Sequence, residues 1–486
     1  MARGDVMDNR QGNTLQIIHT NDIHSRFREM ARIATGIKTL TAMAEEQGFH
    51  SVAVDLGDHM DRMYEKTEAT WGQANIDLMN AMGYRWVTVG NNEGLTFPRE
   101  KFDGLYVRGN FEVICANLVD SIIGKLPPFF KPYVIENYAD GLKVAWIGLT
   151  APYQRFYCLL GLTPINPIEK VQEILKEIHG QAHIVVLLSH LGYNADLDLA
   201  NEVNGIDLIL GSHTHTLLPQ GVRVGDTLIC QAGKFGDYIG KVEIRYNHTK
   251  EIEEMVATCI PTADFVPDVE ITNLLKRQKK QSEKILDVEV VHLGQEIPLS
   301  WVEESPLGNV LAHGLKSWAG ADLGIVNSGT LLFSLPPGPI TKKDLLKLCP
   351  HPINPCKMEL SGEQLKNIFE EALYREVIDR ELRGFGFRGK VIGWLNVAGA
   401  QIHYNPTYPE GHRIGEIWVG DERLQENRNY TIGTIDMFTF GVVFPTFKQG
   451  KDIRFYFPEF LRDVLQKELG NEKTLQESHL QHWLPF

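Results

Sequence analysis

Seven side chains with nitrogen or oxygen donors stand at or just past the ends of apolar runs in the first half of this sequence. They fall in five short segments, HTNDIH, GDH, GNN, SHLG and GSHTH. The side chains are those of Asp22, His24, Asp58, Asn91, His190, His213 and His215. Because the loops after strand carboxyl ends converge on one edge of a layered α/β fold, we expect all seven to meet in one place.

The types of these donors predict divalent metal binding. Imidazole, carboxylate and amide groups without a thiolate suit Mn²⁺, Zn²⁺ or Fe. Asp22 and His24, like His213 and His215, stand two residues apart, which places both donors side by side where a strand ends. Seven donors are too many for one tetrahedral ion. The pattern therefore predicts two ions that share a bridging carboxylate, roughly 3.5–4 Å apart as in two-metal hydrolytic sites.

The charge of such a centre favours an anionic substrate. Only Asp22 and Asp58 among the seven donors carry negative charge, so two divalent ions leave the site positive. A positive site attracts phosphate and lowers the pKa of a bridging water. Taken singly, a strand-end Asp or Asn is usually a turn former, and a lone buried His is usually a core residue. The ordered combination of all five segments indicates a metal site.

Composition limits the classes of protein and partner. A chain of 486 residues exceeds one ordinary core, so two or three domains are expected. Its formal net charge of -14 disfavours binding to a nucleic-acid polymer but not to a small phosphorylated substrate. No apolar run reaches the length of a membrane span, so we expect no membrane partner. The start of the chain lacks a secretory pattern, and six scattered cysteines without a CxxC pair are typical of a reducing compartment. The expected location is therefore the cytoplasm.

Apolar runs alternate with helical patterns over residues 14–262. The helical patterns cover 31–47, 67–82 and 166–180, and the runs between them are rich in Val, Ile and Leu. Continuous apolar strands of this kind are covered on both faces of a sheet. We therefore predict a layered α/β domain for this half.

Residues 263–290 and 291–486 form the rest of the predicted organisation. The first segment is a mostly exposed linker helix, whose KRQKK cluster fits a solvated face better than a nucleic-acid patch. The second is an α+β domain. In it, Ser305 with the proline after it predicts a helix start, and Ser361 with Gln364 forms a capping box.

The five motifs resemble those of the calcineurin-like metallophosphoesterases, and more narrowly those of the bacterial 5'-nucleotidase / 2',3'-cyclic phosphodiesterase group. The resemblance covers nearly the whole chain. It implies an N-terminal layered αββα metallophosphoesterase domain, a linker helix and a C-terminal α+β substrate domain. It also implies in-line attack of metal-bound hydroxide on the phosphorus of a nucleotide or related small phosphoester. By position, one metal would be held by Asp22, His24 and His215, the other by Asn91, His190 and His213, and Asp58 would bridge them.

One departure from the family falls beside the predicted metal site. The family's GNHE-x-D becomes GNNEGL, so Asn92 replaces a His and Leu95 replaces the Asp that orients it. An asparagine can donate a hydrogen bond to a phosphoryl oxygen but cannot supply a proton, and general acid help is worth about 10²–10⁴-fold in rate. We therefore predict a slower enzyme, one that prefers good leaving groups, or one that uses another acid. Glu93 is the adjacent candidate.

A second set of departures falls in the C-terminal half. The family's Asn-x-Gly-x-x-Arg becomes NSGTLL, in which Asn327 and Gly329 match and Leu332 replaces the Arg. Trp394 in GWLNVAG resembles one aromatic of the family's base-stacking clamp, although a core or interface tryptophan fits as well. Asn354 in HPINP resembles the family's substrate-domain Asn.

Three functions stay open from the sequence. The first is a divalent-metal-dependent phosphomonoesterase or phosphodiesterase. The second is a catalytically impaired protein that still binds metal and nucleotide, which the replacements at Asn92 and Leu95 favour. The third is a nucleotide-binding α/β protein without metals, which is the weakest because the phosphate-loop pattern GxxxxGK[ST] is missing.

Overall fold

The computed structural model describes residues 13–486. The chain divides into two compact units, one ending at Ser282 and the other spanning Glu283–Phe486. The start of the chain, on which the expectation of no secretory signal depends, lies outside the described residues. Within residues 13–486, no helix combines the length and the apolar character needed to cross a bilayer.

From residue 13 onward, the first unit contains fifteen strands and most of nine helices. Its strands are β1 Asn13–Thr20, β2 His50–Asp55, β3 Trp86–Val87, β4 Glu112–Ile114, β5 Leu118–Asp120, β6 Phe130–Lys131, β7 Tyr133–Asn137, β8 Lys143–Thr150, β9 Leu162–Pro164, β10 Ile184–His190, β11 Leu208–Leu210, β12 Val222–Val224, β13 Thr227–Cys230, β14 Tyr238–Tyr246 and β15 Ile252–Pro261. Its helices are α1 Phe27–Glu46, α2 Glu65–Thr70, α3 Gln73–Met82, α4 Asn91–Thr96, α5 Arg99–Leu105, α6 Gln154–Tyr157, α7 Pro167–Glu177, α8 Tyr193–Glu202 and α9 Val269–Leu286. The division between the units falls inside α9.

Two sheets organise the first unit. One has the order β15-β14-β1-β2-β3-β4-β6, and the other has the order β12-β13-β11-β10-β8-β7. Strands β1 to β4 are parallel, as are β8, β10, β11 and β13, with Ile17 opposite Val52 and Leu187 opposite Ile209. Parallel strands that carry side chains at their carboxyl ends deliver them to the same edge of the sheet.

The two sheets pack face to face between two layers of helices. Ile17 of the first sheet and Trp146 of the second belong to one buried apolar cluster between the sheets. The outer face of the first sheet packs with α1 and α3, for example through Ile37. The outer face of the second packs with α7 and α8, for example through Val171 and Leu199. The predicted αββα layering is confirmed.

The second unit is built from eleven strands and six helices. Its strands are β16 Glu289–Leu293, β17 Leu323–Asn327, β18 Gly338–Thr341, β19 Pro355–Ser361, β20 Leu395–Ala398, β21 Ala400–Tyr404, β22 Ile414–Val419, β23 Glu422–Arg423, β24 Asn429–Ile435, β25 Lys451–Phe455 and β26 Trp483–Pro485. Its helices are α10 Pro306–Ala319, α11 Lys342–Leu348, α12 Gly362–Ala372, α13 Arg375–Ile378, α14 Leu461–Glu468 and α15 Glu472–Glu477. The larger sheets have the orders β20-β17-β24-β19-β25 and β23-β22-β21-β26, so the predicted α+β class is confirmed.

Of the two helix starts predicted in this unit, both are present, but only one has the capping hydrogen bond. The capping box is confirmed, because the Ser361 hydroxyl accepts a hydrogen bond from the Gln364 amide at the start of α12. Helix α10 does begin after Ser305, but the Ser305 side chain makes no capping hydrogen bond. A G-x-G-x-x-G pattern over residues 384–389 lies in an irregular segment before β20. A dinucleotide fingerprint needs a strand before this pattern and a helix after it, so the pattern carries no such site here.

Candidate metal centre

The structure brings all seven predicted donors to one edge of the first unit. They arrive on successive strand ends, as parallel topology requires. Asp22 and His24 follow β1, Asp58 follows β2, Asn91 opens α4 after β3, His190 ends β10, and His213 and His215 follow β11.

The donors form two clusters. Donor atoms of Asp22, His24 and His215 lie within 4.8 Å of one another, and so do those of Asp58, His190 and His213. Asn91 joins the second cluster, since its Oδ1 lies 3.3 Å from the Nε2 of His190. Each cluster presents nitrogen and oxygen donors at spacings that one cation could fill.

Asp58 faces both clusters with different oxygens. Its Oδ2 lies 3.8 Å from the Nε2 of His24, and its Oδ1 lies 3.5 Å from the Nε2 of His190. Backbone groups fix the carboxylate and its loop, because Asn92 N–H donates to Asp58 Oδ1 at 2.8 Å and His24 N–H donates to the Asp58 carbonyl at 2.8 Å. A carboxylate held in this way can connect two cations.

The backbone is strained at this edge. Five of the seven donors have left-handed φ angles: Asp22 at 50°, His24 at 47°, Asp58 at 50°, His213 at 72° and His215 at 60°. Residues other than glycine rarely adopt this conformation, and each such residue costs about 1–3 kcal/mol. Backbone strain of this kind concentrates at functional sites. Here the strained residues are themselves donors, and their conformation directs their side chains toward one point.

Electrostatics put Asp58, His24 and His213 in the protonation states that cations need, and His190 is the exception. Burial opposes the ionisation of Asp58, but His190 and His24 hold the pKa of Asp58 below its ordinary value. Burial lowers the pKa of His24 and of His213, so both imidazoles are neutral at pH 7. Burial would also lower the pKa of His190, but the Asp58 carboxylate raises it to about 10. The proton on His190 therefore occupies the position between imidazole and carboxylate that a cation would take.

A further layer of contacts orients two of the imidazoles. The Nδ1 of His190 donates to the Leu56 carbonyl at 2.7 Å, which leaves its Nε2 facing Asp58. The hydroxyl of Tyr153 lies 2.9 Å from the Nε2 of His213. Partners of this kind fix the ring orientation of metal-binding histidines.

Comparison with known proteins identifies the family. The calcineurin-like phosphoesterase family matches residues 15–217, and the 5'-nucleotidase C-terminal domain family matches residues 285–449. A Bacillus subtilis (strain 168) protein named uncharacterized metallophosphoesterase YunD is 37% identical over 458 residues, which cover 94% of this chain and 99% of that protein. The chain belongs to the metallophosphoesterase family.

Two further relatives extend over both units of this metallophosphoesterase. The 5'-nucleotidase of Vibrio cholerae serotype O1 is 24% identical over 463 residues, covering 81% of this chain and 83% of that one. The solved structure of a 5'-nucleotidase precursor from Thermus thermophilus has a TM-score of 0.61 and 22% identity, and covers 97% of this chain and 99% of its own. That structure shows a shared fold. Metal-dependent hydrolysis of phosphoesters is the activity of this chain, and its family binds divalent metals.

Asn92, predicted to donate to the phosphoryl group, forms its side-chain contacts with other residues of this metallophosphoesterase. Its Nδ2 lies 2.9 Å from the Nδ1 of His24 and donates to the Met60 carbonyl at 3.0 Å. The side chain is buried, and both amide hydrogens are directed at these two partners. These contacts place the Asn92 amide beside His24, and its donation to a substrate oxygen stays a prediction.

Glu93, the predicted alternative acid, is held by the backbone. Its carboxylate accepts hydrogen bonds from the amides of Asp58, Met60 and Gly90 at 2.8–3.1 Å. Burial and the neighbouring Asp58 raise the pKa of Glu93 above its ordinary value. Because all three donors belong to the loops that carry Asp58 and Asn91, Glu93 joins those loops together rather than facing a leaving group.

Trp394 lies in the apolar core of the second unit. Its side chain is buried, with ring centroids 5.3 Å from Trp483 and 6.4 Å from Tyr404. Of the two interpretations from the sequence, the core tryptophan is the one that the structure shows. Its contact with a base stays a prediction.

The other predicted substrate residues also have partners inside the second unit. Asn327 donates to the Ile392 carbonyl at 2.7 Å, and Gly329 N–H donates to the same carbonyl at 2.9 Å. Asn354 donates to the Glu459 carbonyl at 2.7 Å. These three hydrogen bonds connect loops within the second unit. A role of Asn327, Gly329 and Asn354 in substrate binding stays a prediction.

Sequence reasoning missed three residues at the metal centre. Tyr153 follows β8, and Phe235 follows β13, where its ring lies 5.8 Å from that of His24. Arg26 stacks on Phe235, with its guanidinium carbon 4.3 Å from the ring centroid. Tyr153 and Phe235 also follow strand ends, so their positions could have been predicted. They were missed because the sequence search considered only the metal-binding types Asp, Asn and His.

Proposed function

We propose that this metallophosphoesterase hydrolyses nucleotides or related small phosphoesters at a centre of two divalent ions. The single observation that carries the two-ion proposal is the Asp58 carboxylate, whose two oxygens face two separate donor clusters. The name of the Vibrio cholerae relative and the match of residues 285–449 to the 5'-nucleotidase C-terminal domain support a nucleotide substrate.

The donor set fits such ions. Its members are nitrogen and oxygen donors only, which suit Mn²⁺, Zn²⁺ or Fe. The Nε2 atoms of His24 and His215 face each other at 3.2 Å, and two ring nitrogens at this distance need a proton or a cation between them. One ion would be held by Asp22, His24 and His215, the other by Asn91, His190 and His213, and both by Asp58. Bound ions would supply Lewis acidity to phosphoryl oxygens and lower the pKa of a water.

The chain's own residues orient this centre. The Leu56 carbonyl fixes the ring of His190, and the Asn92 amide fixes that of His24. Because Asn92 cannot supply a proton and Glu93 is held by backbone amides, we expect the fastest turnover with leaving groups that need no proton, such as p-nitrophenolate.

The test is a screen of hydrolysis, followed by chromatography of the products, of nucleotides, cyclic nucleotides, sugar nucleotides and p-nitrophenyl phosphate, with Mn²⁺, Zn²⁺ or Fe²⁺ added separately. We expect turnover that requires a metal and that falls by about two orders of magnitude or more in Asp58→Asn. Asp198→Asn, at an exposed position of α8, is the matched control. Stoichiometric metal binding without hydrolysis of any substrate would instead identify an impaired binding protein. Turnover of p-nitrophenyl phosphate alone would reject the nucleotide assignment.

A cytoplasmic location with a small phosphorylated partner completes the proposal. All six cysteines are free, and four of them are buried, which supports a reducing compartment. Of the other two, Cys158 is exposed and Cys259 is partly buried. Activity and antigen measured in fractionated cells would test the location, and recovery outside the cytoplasmic fraction would reject it.

A further inference from the structure

Phe235 forms a wall of the candidate metal centre. Its ring lies 5.8 Å from that of His24 and 6.2 Å from that of His215, between centroids. The backbone of Phe235 is left-handed, with φ at 62°, and its N–H donates to the Asp22 carbonyl at 2.7 Å. A non-glycine residue in this conformation is uncommon and is strained. The loop is therefore held in a costly conformation that places one aromatic ring against two of the donors.

Two cations lie on this ring. The guanidinium carbon of Arg26 is 4.3 Å from the Phe235 centroid, and the Lys234 ammonium is 4.7 Å from it. Arg26 stands two residues after His24, so the chain that supplies a donor also supplies the arginine. Both side chains belong to exposed residues. An arginine stacked on an aromatic face keeps the N–H groups at its edge available for a ligand.

Neither cation is neutralised within the described part of the chain. Across residues 13–486, no carboxylate oxygen lies within 4.0 Å of the Arg26 or Lys234 nitrogens. Arg62, in contrast, is paired with Glu68 at 2.7 Å in the same unit. In a protein of net charge -14, two cations without a carboxylate at this distance, beside a cluster of metal donors, form a local positive surface.

We propose that Arg26 and Lys234, carried by Phe235, form a subsite for a second phosphate group of the substrate. This proposal rests on the proposed function, because it takes the reacting phosphate to lie at the seven donors. A second phosphate joined to the reacting one by a single oxygen lies immediately beside it, and the same Phe235 ring packs against the two cations and against His24 and His215. Planar guanidinium groups recognise phosphate through paired N–H donors. The preferred substrates would be phosphoesters that carry a diphosphate.

The experiment compares ADP with AMP in the full-length protein at saturating Mn²⁺. Removal of one charge-assisted hydrogen bond corresponds to about tenfold in affinity. We therefore expect Arg26→Gln to lower kcat/KM for ADP about tenfold while leaving that for AMP within twofold, and Arg26→Lys to restore part of the loss. Lys234→Gln should act in the same direction, and Arg28→Gln, an exposed arginine at the start of α1, should change neither value.

A binding measurement separates this proposal from the proposed function. Isothermal titration calorimetry with α,β-methylene-ADP, which cannot lose its terminal phosphate, should show Kd raised about tenfold in Arg26→Gln and unchanged in Arg28→Gln. Equal Kd values in all three proteins, or an ADP/AMP ratio that Arg26→Gln leaves within twofold, would overturn the subsite. If the wild-type protein hydrolyses nothing, the proposed function fails, and the Kd values still decide whether the subsite exists.

Discussion

The rings of His24 and His215 meet edge to face, with their centroids 5.3 Å apart and their planes at 87°. The two Nε2 atoms are 3.2 Å apart, although the residues are separated by 191 positions in the sequence. Both nitrogens also face the Asp22 carboxylate, at 3.9 Å from His24 and 3.5 Å from His215. Two imidazoles and a carboxylate converging in this way create a position for one cation.

His215→Ala should therefore remove one of two metal ions. The other cluster, formed by Asp58, His190 and His213 with Asn91 beside them, keeps all of its donors. We expect about two Mn²⁺ or Zn²⁺ per wild-type chain and about one in the variant, measured by mass spectrometry of the metals after equilibrium dialysis. His179→Ala, at an exposed position after α7, should leave the metal content unchanged. A variant that still binds two ions would remove His215 from the ligand set.

Asn92→Leu should weaken metal binding as well as catalysis. The Asn92 amide lies 2.9 Å from the Nδ1 of His24, and loss of such a partner to a metal-binding histidine typically costs about 10–100-fold in affinity. We expect the midpoint of Mn²⁺ activation to rise by at least about tenfold. Asn201→Leu, on the exposed end of α8, is the control for the same change of side chain. An unchanged midpoint with lower kcat would instead favour the predicted contact of Asn92 with substrate.

The metal centre could be predicted from the sequence because its donors depend on topology. Parallel strands end at one edge, so a list of polar residues after apolar runs already names the seven side chains. The strand runs that carry them were recognisable because both sheet faces are buried. The antiparallel pair β14 and β15 was missed, since β14 mixes buried with partly exposed residues and β15, the edge strand of the sheet, has one buried residue, Ala257.

The roles of Asn92, Glu93 and Trp394 could not be predicted in the same way. Their residue types fit a substrate site, but their contacts depend on side-chain directions that the spacing does not fix. Glu93 turns toward three backbone amides, and Trp394 turns toward Trp483 in the core. A buried carboxylate needs such hydrogen-bond donors, which explains the direction of the Glu93 side chain. Burial in the core explains the direction of Trp394.

Tyr153→Phe should lower activity without removing metal. The mutation deletes the hydroxyl that lies 2.9 Å from the Nε2 of His213 and keeps the ring that packs against it. One hydrogen bond is worth about 1 kcal/mol, so we expect about fivefold lower kcat/KM with p-nitrophenyl phosphate and an unchanged metal content. Tyr133→Phe, whose hydroxyl donates to Glu177 on the surface, should leave the rate unchanged. An unchanged kcat/KM in Tyr153→Phe would contradict a role for this hydroxyl at the metal centre.

Asp436 is a buried carboxyl in the second unit, at the end of β24. Its Oδ1 has no hydrogen-bond partner, and burial raises the pKa of Asp436 from 3.8 to about 7. The folded unit therefore binds more protons than the unfolded chain between about pH 4 and pH 7. Where the folded state binds more protons, stability falls as pH rises.

Asp436→Asn should consequently become more stabilising, relative to wild type, as the pH increases. At pH 5 the wild-type carboxyl is mostly protonated when folded, whereas at pH 8 the folded unit holds a buried charge that Asn lacks. The difference in the free energy of unfolding should grow by about 2 kcal/mol between pH 5 and pH 8, which corresponds to about 5 °C in Tm. Calorimetric melting at both pH values would measure it, with the exposed Asp421→Asn as the matched control. A Tm difference that is equal at the two pH values would show that Asp436 ionises normally in the folded unit, because an unperturbed carboxyl is charged at both.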